Sequence, residues 1–374
     1  MRVLMAGGGT AGHINPALAI AAEIRRREPD SEILFVGVEG RMETRLVPAA
    51  GYPIRTMDVR GFRRSLSPAA VWENIGAAWK AAAAGPLCRR ILREFHPDVA
   101  VGTGGYVCGP VLRQAERMGI PVVLHESNAL PGVTTKMLAK RAAVTLVADA
   151  SALNRLPEGC RAEVTGNPLR EGFFTLEKAA SRRELGLDER PVVLSYGGSL
   201  GAARINEAMT GVLQRSYKEG RLQHIHATGK AGFSAMSEAL SALGVPLSGG
   251  GITVREYIDD MPRCMAAADL VICRCGAMTM SELPAAGKPA ILIPSPYVAE
   301  NHQHYNAMAL VDKGAARCLE EKDLTADSLW ELISELTASP DTLRKMGEQA
   351  KTAAAFDASE RIYRAICRAA SGKD

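Results

Sequence analysis

Two stretches far apart in this chain follow one plan: an apolar run, a glycine-rich turn, then a helix. The first is Met1-Arg-Val-Leu-Met-Ala6. It turns through Gly7-Gly-Gly-Thr-Ala-Gly12-His13 into a helix from Asn15 to Ile24, with Pro16 in its first turn, where proline is favoured. The second is Arg190-Pro-Val-Val-Leu-Ser195, which turns through Gly197-Gly-Ser-Leu-Gly201 into a helix by Asn206. A short buried strand feeding a helix through a tight turn belongs to a parallel sheet with helices on both faces. The expected fold class is α/β, two Rossmann-like doubly wound domains facing a central cleft. A third glycine turn, Gly102-Thr-Gly-Gly105-Tyr106, follows the strand Val99-Ala-Val101, and all three can point into that cleft.

Further strands are expected at Ile33–Gly37, Pro121–Leu124, Val144–Val147 and Ala162–Thr165. Gly166-Asn-Pro168 then breaks the sheet, which sets domains at residues 1–166 and 167–350. An alanine- and arginine-rich helix, Gln349 to Ala370, is expected to cross back, so that residues 351–374 return to the first domain. The first turn departs from G-x-G-x-x-G, and no acidic residue ends the second strand where a dinucleotide ribose needs one, which argues against a dehydrogenase. Its glycines still let backbone approach a diphosphate closely. His13 stands just before a helix, where an imidazole can serve as a general base; a packing or capping role is the other reading.

The richest stretch is Val254 to Asn306. The apolar run Asp269–Cys273 stops at Gly276, and Ala277-Met-Thr-Met-Ser281-Glu282 opens a helix whose free N–H groups can hold an anion. Glu282 can accept two hydrogen bonds from adjacent hydroxyls, as on a ribose. Gly287-Lys-Pro289 turns into a second strand, Ala290–Pro294, followed by the polar Glu300-Asn-His-Gln-His304 at its C-terminal end, where open parallel sheets bind ligands. Val254–Ile258 is expected as a strand whose Tyr257 can stack on a base, and His125-Glu-Ser-Asn128 ends another strand with clustered polar groups. Together these read as a pocket for a nucleotide-linked small molecule; an ordinary strand–helix–strand unit with a loop is the alternative.

With 47% hydrophobic and 23% charged residues and a net charge of +4, the chain has an ordinary globular balance, too weakly basic to argue for nucleic acid. None of the eight cysteines forms a C-x-x-C pair. Cys273-x-Cys275 and His302-x-His304 have the wrong spacing for a closed metal site, and no D-x-D triplet is present, so no metal and no cofactor are expected. The chain opens on a strand without a signal peptide, and no apolar run is long enough to span a bilayer, which points to the cytoplasm. From Arg55 to Arg93, eight basic residues face two acidic ones and are interleaved with Phe62, Trp72 and Trp79. That mixture suits an anionic membrane surface, or a solvated helix face whose aromatics are core.

Gly8-Gly-Thr-Ala-Gly-His13, Gly104-Gly-Tyr106, His125-Glu-Ser-Asn128, Gly166-Asn-Pro-Leu-Arg170, Gly197-Gly-Ser-Leu-Gly-Ala202 and Cys273 to Gly287 occur in the order and spacing of the MurG family, which the chain resembles along essentially its whole length. The resemblance implies a GT-B fold and an inverting transfer of N-acetylglucosamine from UDP-N-acetylglucosamine to the C4 hydroxyl of undecaprenyl-diphosphoryl-N-acetylmuramoyl-pentapeptide. That reaction makes lipid II on the inner face of the bacterial plasma membrane. It implies His13 as base, and Arg170, Ser199 and the helix start Ala277, Met278, Thr279, Met280 and Ser281 on the donor diphosphate. Glu282 would take the ribose, the Ile258 backbone the uracil, and Gln303 and Asn128 the sugar hydroxyls. Thr10, Ala11 and Gly12 would border the N-acetylglucosamine and acceptor side. Implied partners are the two substrates, an anionic membrane surface and other cell-wall synthesis proteins. Ala11, Ser127 and Cys275 replace the family's usual glycine, glutamine and serine. Other readings are a GT-B enzyme with another lipid acceptor, and a non-catalytic UDP-sugar sensor or scaffold.

Overall fold

In the computed structural model, which describes residues 1–59 and 84–372, the chain forms two compact units. One is Met1–Arg170 together with the chain from Phe356 onward; the other is Glu171–Ala355. The first unit therefore runs past Gly166 to Arg170.

Its elements are β1 (Arg2–Ala6), α1 (Ala11–Arg27), β2 (Glu32–Val38), α2 (Glu43–Ala49), β3 (Ile54–Met57), α3 (84–95), β4 (Val99–Gly102), α4 (Cys108–Arg117), β5 (Val122–Glu126), α5 (Val133–Leu138), β6 (Val144–Val147) and β7 (Ala162–Val164). The seven strands pair in parallel, in the order β3-β2-β1-β4-β5-β6-β7. Because helices cover both faces, β4 and the run Val3–Ala6 of β1 are apolar and buried on both faces. In β1, Val3 and Met5 face one core with Ile14, Ile20 and Ile24 of α1, while Leu4 and Ala6 face the other with Leu112 of α4. Full burial of each such large aliphatic stabilises the fold by roughly 1.5–3 kcal/mol.

The second unit runs α6 (Gly172–Thr175), α7 (Lys178–Glu184), β8 (Val192–Tyr196), α8 (Ala203–Glu219), β9 (Gln223–Ala227), α9 (Phe233–Ala242), β10 (Ser248–Gly249), β11 (Ile252–Arg255), α10 (Met261–Ala267), β12 (Leu270–Cys273), α11 (Ala277–Ala286), β13 (Ala290–Leu292), α12 (His302–Val311), β14 (Ala316–Cys318), α13 (Ala326–Thr337) and α14 (Pro340–Lys351). Its sheet order is β10-β11-β9-β8-β12-β13-β14, parallel except for the short antiparallel edge strand β10. Each sheet thus reverses its winding once, between β1 and β4 and between β8 and β12, the place where such sheets take ligands beyond their strand ends.

Three expectations are corrected. Thr10, extended at φ −142° and ψ 156°, caps a helix that begins at Ala11, so His13 lies inside the first turn and Pro16 in the second. Strand β11 ends at Arg255, which leaves Tyr257 and Ile258 in the loop beyond it. The expected tail helix is two helices: α14 stops at Lys351 and α15 (Ala358–Ser371) follows, because the chain passes from one unit to the other between them. Ile362, Ala365 and Ile366 of α15 join the first unit's core, and the Tyr363 hydroxyl donates to Glu28 Oε1 at 2.7 Å. Of the basic, aromatic stretch, Arg60, Phe62, Arg63, Arg64, Trp72, Trp79 and Lys80 lie outside the described residues, whereas Arg89, Arg90 and Arg93 lie on α3. Among the described residues no helix is long and apolar enough to cross a membrane.

Candidate active site

In the first unit, the turns after β1 and β4 meet. Gly8 N–H donates to Gly104 O at 3.4 Å, and the Thr103 hydroxyl donates to the His13 carbonyl at 2.7 Å. The N–H groups of His13 and Ile14 donate to Thr10 O at 3.0 and 3.1 Å, closing the first turn of α1. His13 is half-buried, with Nδ1 3.1 Å from Gly8 O and 3.4 Å from Thr10 Oγ1. A carbonyl oxygen only accepts, so Nδ1 carries the proton in that bond and Nε2 of the neutral ring keeps its lone pair. The ring lies over Gly104, where an added Cβ would stand 2.6 Å from Cδ2. Behind the turn sits Glu43, a carboxylate the motif does not contain; it accepts from Gly9 N–H at 3.1 Å and Val38 N–H at 3.0 Å.

The polar run begins on the last two residues of β5 and continues beyond it. His125 points into the core, its Nε2 3.1 Å from Gly166 O, and burial holds it toward the neutral form. Glu126 is also buried. It accepts from Asn128 N–H and Nδ2 at 3.1 and 3.0 Å, from Gly132 N–H at 2.9 Å and from the Thr135 hydroxyl at 2.7 Å. Of His125, Glu126, Ser127 and Asn128, the first three are therefore buried, and the fourth, half-buried Asn128, presents a side chain whose orientation Glu126 fixes. Arg170, half-buried, ends this unit.

In the second unit, the turn after β8 carries half-buried Ser199, and its Gly201 packs against the Thr228 carbonyl. Beyond β12, Gly276 (φ −69°, ψ 151°) caps α11, and Ala277, Met278, Thr279, Met280 and Ser281 are half-buried along its first turns. Glu282 is 6% exposed and lies close enough to Tyr196 and Cys273 to act on both; burial, then these neighbours, raises the Tyr196 phenol well above its usual range. Gln303 Oε1 accepts from Ser295 N–H at 3.0 Å and Cys275 N–H at 3.3 Å, which ties the loops after β12 and β13 together and leaves its amide N–H groups to donate. Asn306 Nδ2 donates to Cys275 O at 3.0 Å. Arg274 is held by the Ile293 and Pro294 carbonyls and by Glu321, so it serves the loop. Ile258 is buried, beside half-buried Tyr257.

Residues that invited a metal argument are engaged elsewhere. The thiols of Cys273 and Cys275 are buried, and burial pushes both pKa values up. His304 pairs with Glu320 at 2.7 Å. His226, which entered no metal reading, is core: Nδ1 is 2.8 Å from Ser195 Oγ, Nε2 3.2 Å from Asn206 Oδ1, and burial lowers its pKa to about 4.

Comparison with known proteins matches residues 3–147 to the glycosyltransferase family 28 N-terminal domain and residues 192–362 to the family's C-terminal domain. A relative from Acetivibrio thermocellus, named UDP-N-acetylglucosamine–N-acetylmuramyl-(pentapeptide) pyrophosphoryl-undecaprenol N-acetylglucosamine transferase, is 42% identical over 98% of this chain and 97% of its own. One from Bacillus cereus, bearing the same name with the number 1, is 38% identical over 97% and 98%. The crystal structure of Acinetobacter baumannii MurG superposes with a TM-score of 0.67 at 29% identity, covering 98% of this chain and 99% of that one.

Proposed function

The chain belongs to glycosyltransferase family 28 and, within it, to the MurG family, and from that premise we propose how its residues divide the work. The protein transfers N-acetylglucosamine from UDP-N-acetylglucosamine to undecaprenyl-diphosphoryl-N-acetylmuramoyl-pentapeptide, making lipid II for peptidoglycan.

The observation that carries the mechanism is the bond from His13 Nδ1 to Gly8 O, which leaves Nε2 as the proton acceptor. Nε2 takes the proton of the muramoyl C4 hydroxyl as that oxygen attacks the anomeric carbon. The new C–O bond forms on the face opposite the diphosphate, the old one breaks, and UDP leaves with the electron pair, so the anomeric centre inverts. Thr10, Ala11 and Gly12 border the acceptor beside the base. The negative charge growing on the leaving diphosphate is met by the N-terminus of α11 from Ala277 to Ser281, by Ser199 and by Arg170. Glu282 accepts from the ribose hydroxyls, the Ile258 backbone meets the uracil edge beside Tyr257, and Gln303 and Asn128 hold the sugar. Glu126 and the paired loop amides support this reading by keeping Asn128 and Gln303 in single orientations.

The acceptor is a membrane lipid, so we place the chain peripherally on the cytoplasmic face of the plasma membrane, held by anionic headgroups. Co-sedimentation with anionic vesicles then falls at high salt, and salt-independent binding would refute the electrostatic part. The deciding assay is transfer of labelled N-acetylglucosamine from UDP to a short-chain analogue of the muramoyl-pentapeptide lipid, without added metal. Product is expected. Donor binding without product would turn the reading toward another lipid acceptor or a sensor.

A further inference from the structure

The side chain of Glu43 is 0% exposed, and a carboxylate so placed needs partners. Its two oxygens accept from Val38 N–H and Gly9 N–H. Two glycines make room for it. A Cβ at Gly37 would stand 2.6 Å from Glu43 Cγ, and one at Gly8 would overlap its Oε1. Gly37 interrupts the apolar, buried run Ile33–Val38 of β2, and this side chain is what passes there.

The Gly9 N–H and the Gly8 C=O belong to one peptide, a rigid plane whose two polar groups point opposite ways. Glu43 Oε2 holds the N–H end at 3.1 Å; His13 Nδ1 holds the C=O end at 3.1 Å. Turning that plane would break both contacts together. We propose that Glu43 is the positioning residue for the catalytic base, acting through the Gly8–Gly9 peptide. It does at one peptide's remove what a directly bonded carboxylate does for the histidine of a hydrolase triad, fixing the ring's orientation and its Nδ1–H tautomer. A negative group on the N–H end also strengthens the carbonyl at the other end as an acceptor. The inference rests on His13 as base.

The test uses the full chain and two readouts. In wild type, the ring nitrogens of His13, assigned by ¹⁵N NMR, are expected to show the Nδ1–H form; the Nε2–H form would overturn the proposal without any variant. Glu43→Gln conserves volume but puts a donor against one of the two N–H groups. It is expected to lower kcat by about tenfold or more, a fraction of what a general base supplies, to mix the His13 tautomers, and to leave the KM for UDP-N-acetylglucosamine unchanged. Wild-type kcat in a folded Glu43→Gln protein, or a lowered kcat with unaltered His13 resonances, would overturn it. Full turnover in His13→Ala removes the base reading and this inference with it; an inactive His13→Ala beside a fully active Glu43→Gln removes this inference alone.

Discussion

In the first unit, the glycines after β1 and β4 are packed against the protein's own atoms: a Cβ at Gly105 would overlap the Gly8 carbonyl, and one at Gly104 would strike the His13 ring. In the second unit, a Cβ at Gly276, the cap of α11, would meet nothing within 4 Å. Gly104 and Gly105 follow β4 and Gly276 follows β12, in each sheet one of the two strands between which the winding reverses, and each turn leads into a helix. The difference separates two uses of one plan. Where glycine lets backbone meet backbone, the turn is a rigid mount for a side chain, here His13. Where glycine faces open space at a helix start, the turn is a seat for something brought from outside, and the amides of α11 suit the charge of a diphosphate.

The largest expected effect tests the mount directly. His13→Ala lowers turnover by about two orders of magnitude or more while UDP binding by calorimetry stays near wild type; a matching loss of UDP affinity would merge the two roles. A glycine pair then sets the units against each other. Gly105→Ala, at φ +87° with no room for a methyl, is expected to destabilise the fold by about 3 kcal/mol in urea unfolding. Gly276→Ala is expected to change stability by less than about 0.5 kcal/mol and instead to weaken UDP affinity. Equal destabilisation by both would erase the contrast.

Acid acts on a feature of the second unit. His226 has a folded pKa of about 4, below the ordinary 6.5 of the unfolded chain. Its contribution is therefore whole above about pH 6.5 and is lost as pH falls toward 4. Between pH 7 and pH 5 the loss is on the order of 2 kcal/mol, and His226→Asn is expected to flatten that slope in urea titrations at both pH values. Glu282→Ala is expected to weaken UDP-sugar binding by roughly tenfold, the worth of hydrogen bonds to a charged acceptor; unchanged affinity would remove the ribose assignment. Cys275→Ser is expected to matter least for the donor, because the thiol lies in the core and the residue serves the site through its backbone. Its cost should appear as about 1 kcal/mol of stability from burying a hydroxyl.

Local features were legible in the chain because their causes are local. Glycine turns between apolar runs foretell β1–α1 and β8–α8, and the stop at Gly276 foretells α11. Glu43 is invisible to such reading, since its partner Gly9 is 34 positions away and nothing near either residue names the other; Gly37 within an apolar strand is the one trace it leaves. His125 and Asn128 look alike in a polar run, and only the end of β5 at Glu126 and the grip of that carboxylate part them. Two-residue β10 falls in a glycine-rich stretch where no periodicity can be read, and a helix crossing from one unit to the other looks continuous until the cores are known.

The passage of the chain into the second unit after Arg170 and back at Phe356 has a consequence for its birth. Translation delivers β1 long before α15, yet Val3, Ile20 and Ile24 share one core with Ile362 and Ile366. On the ribosome the second unit can close as soon as α14 emerges, while the first waits with an apolar face uncovered. The unit begun earlier is the one finished later, and a chain released short of α15 would carry a closed second unit beside an incomplete first one.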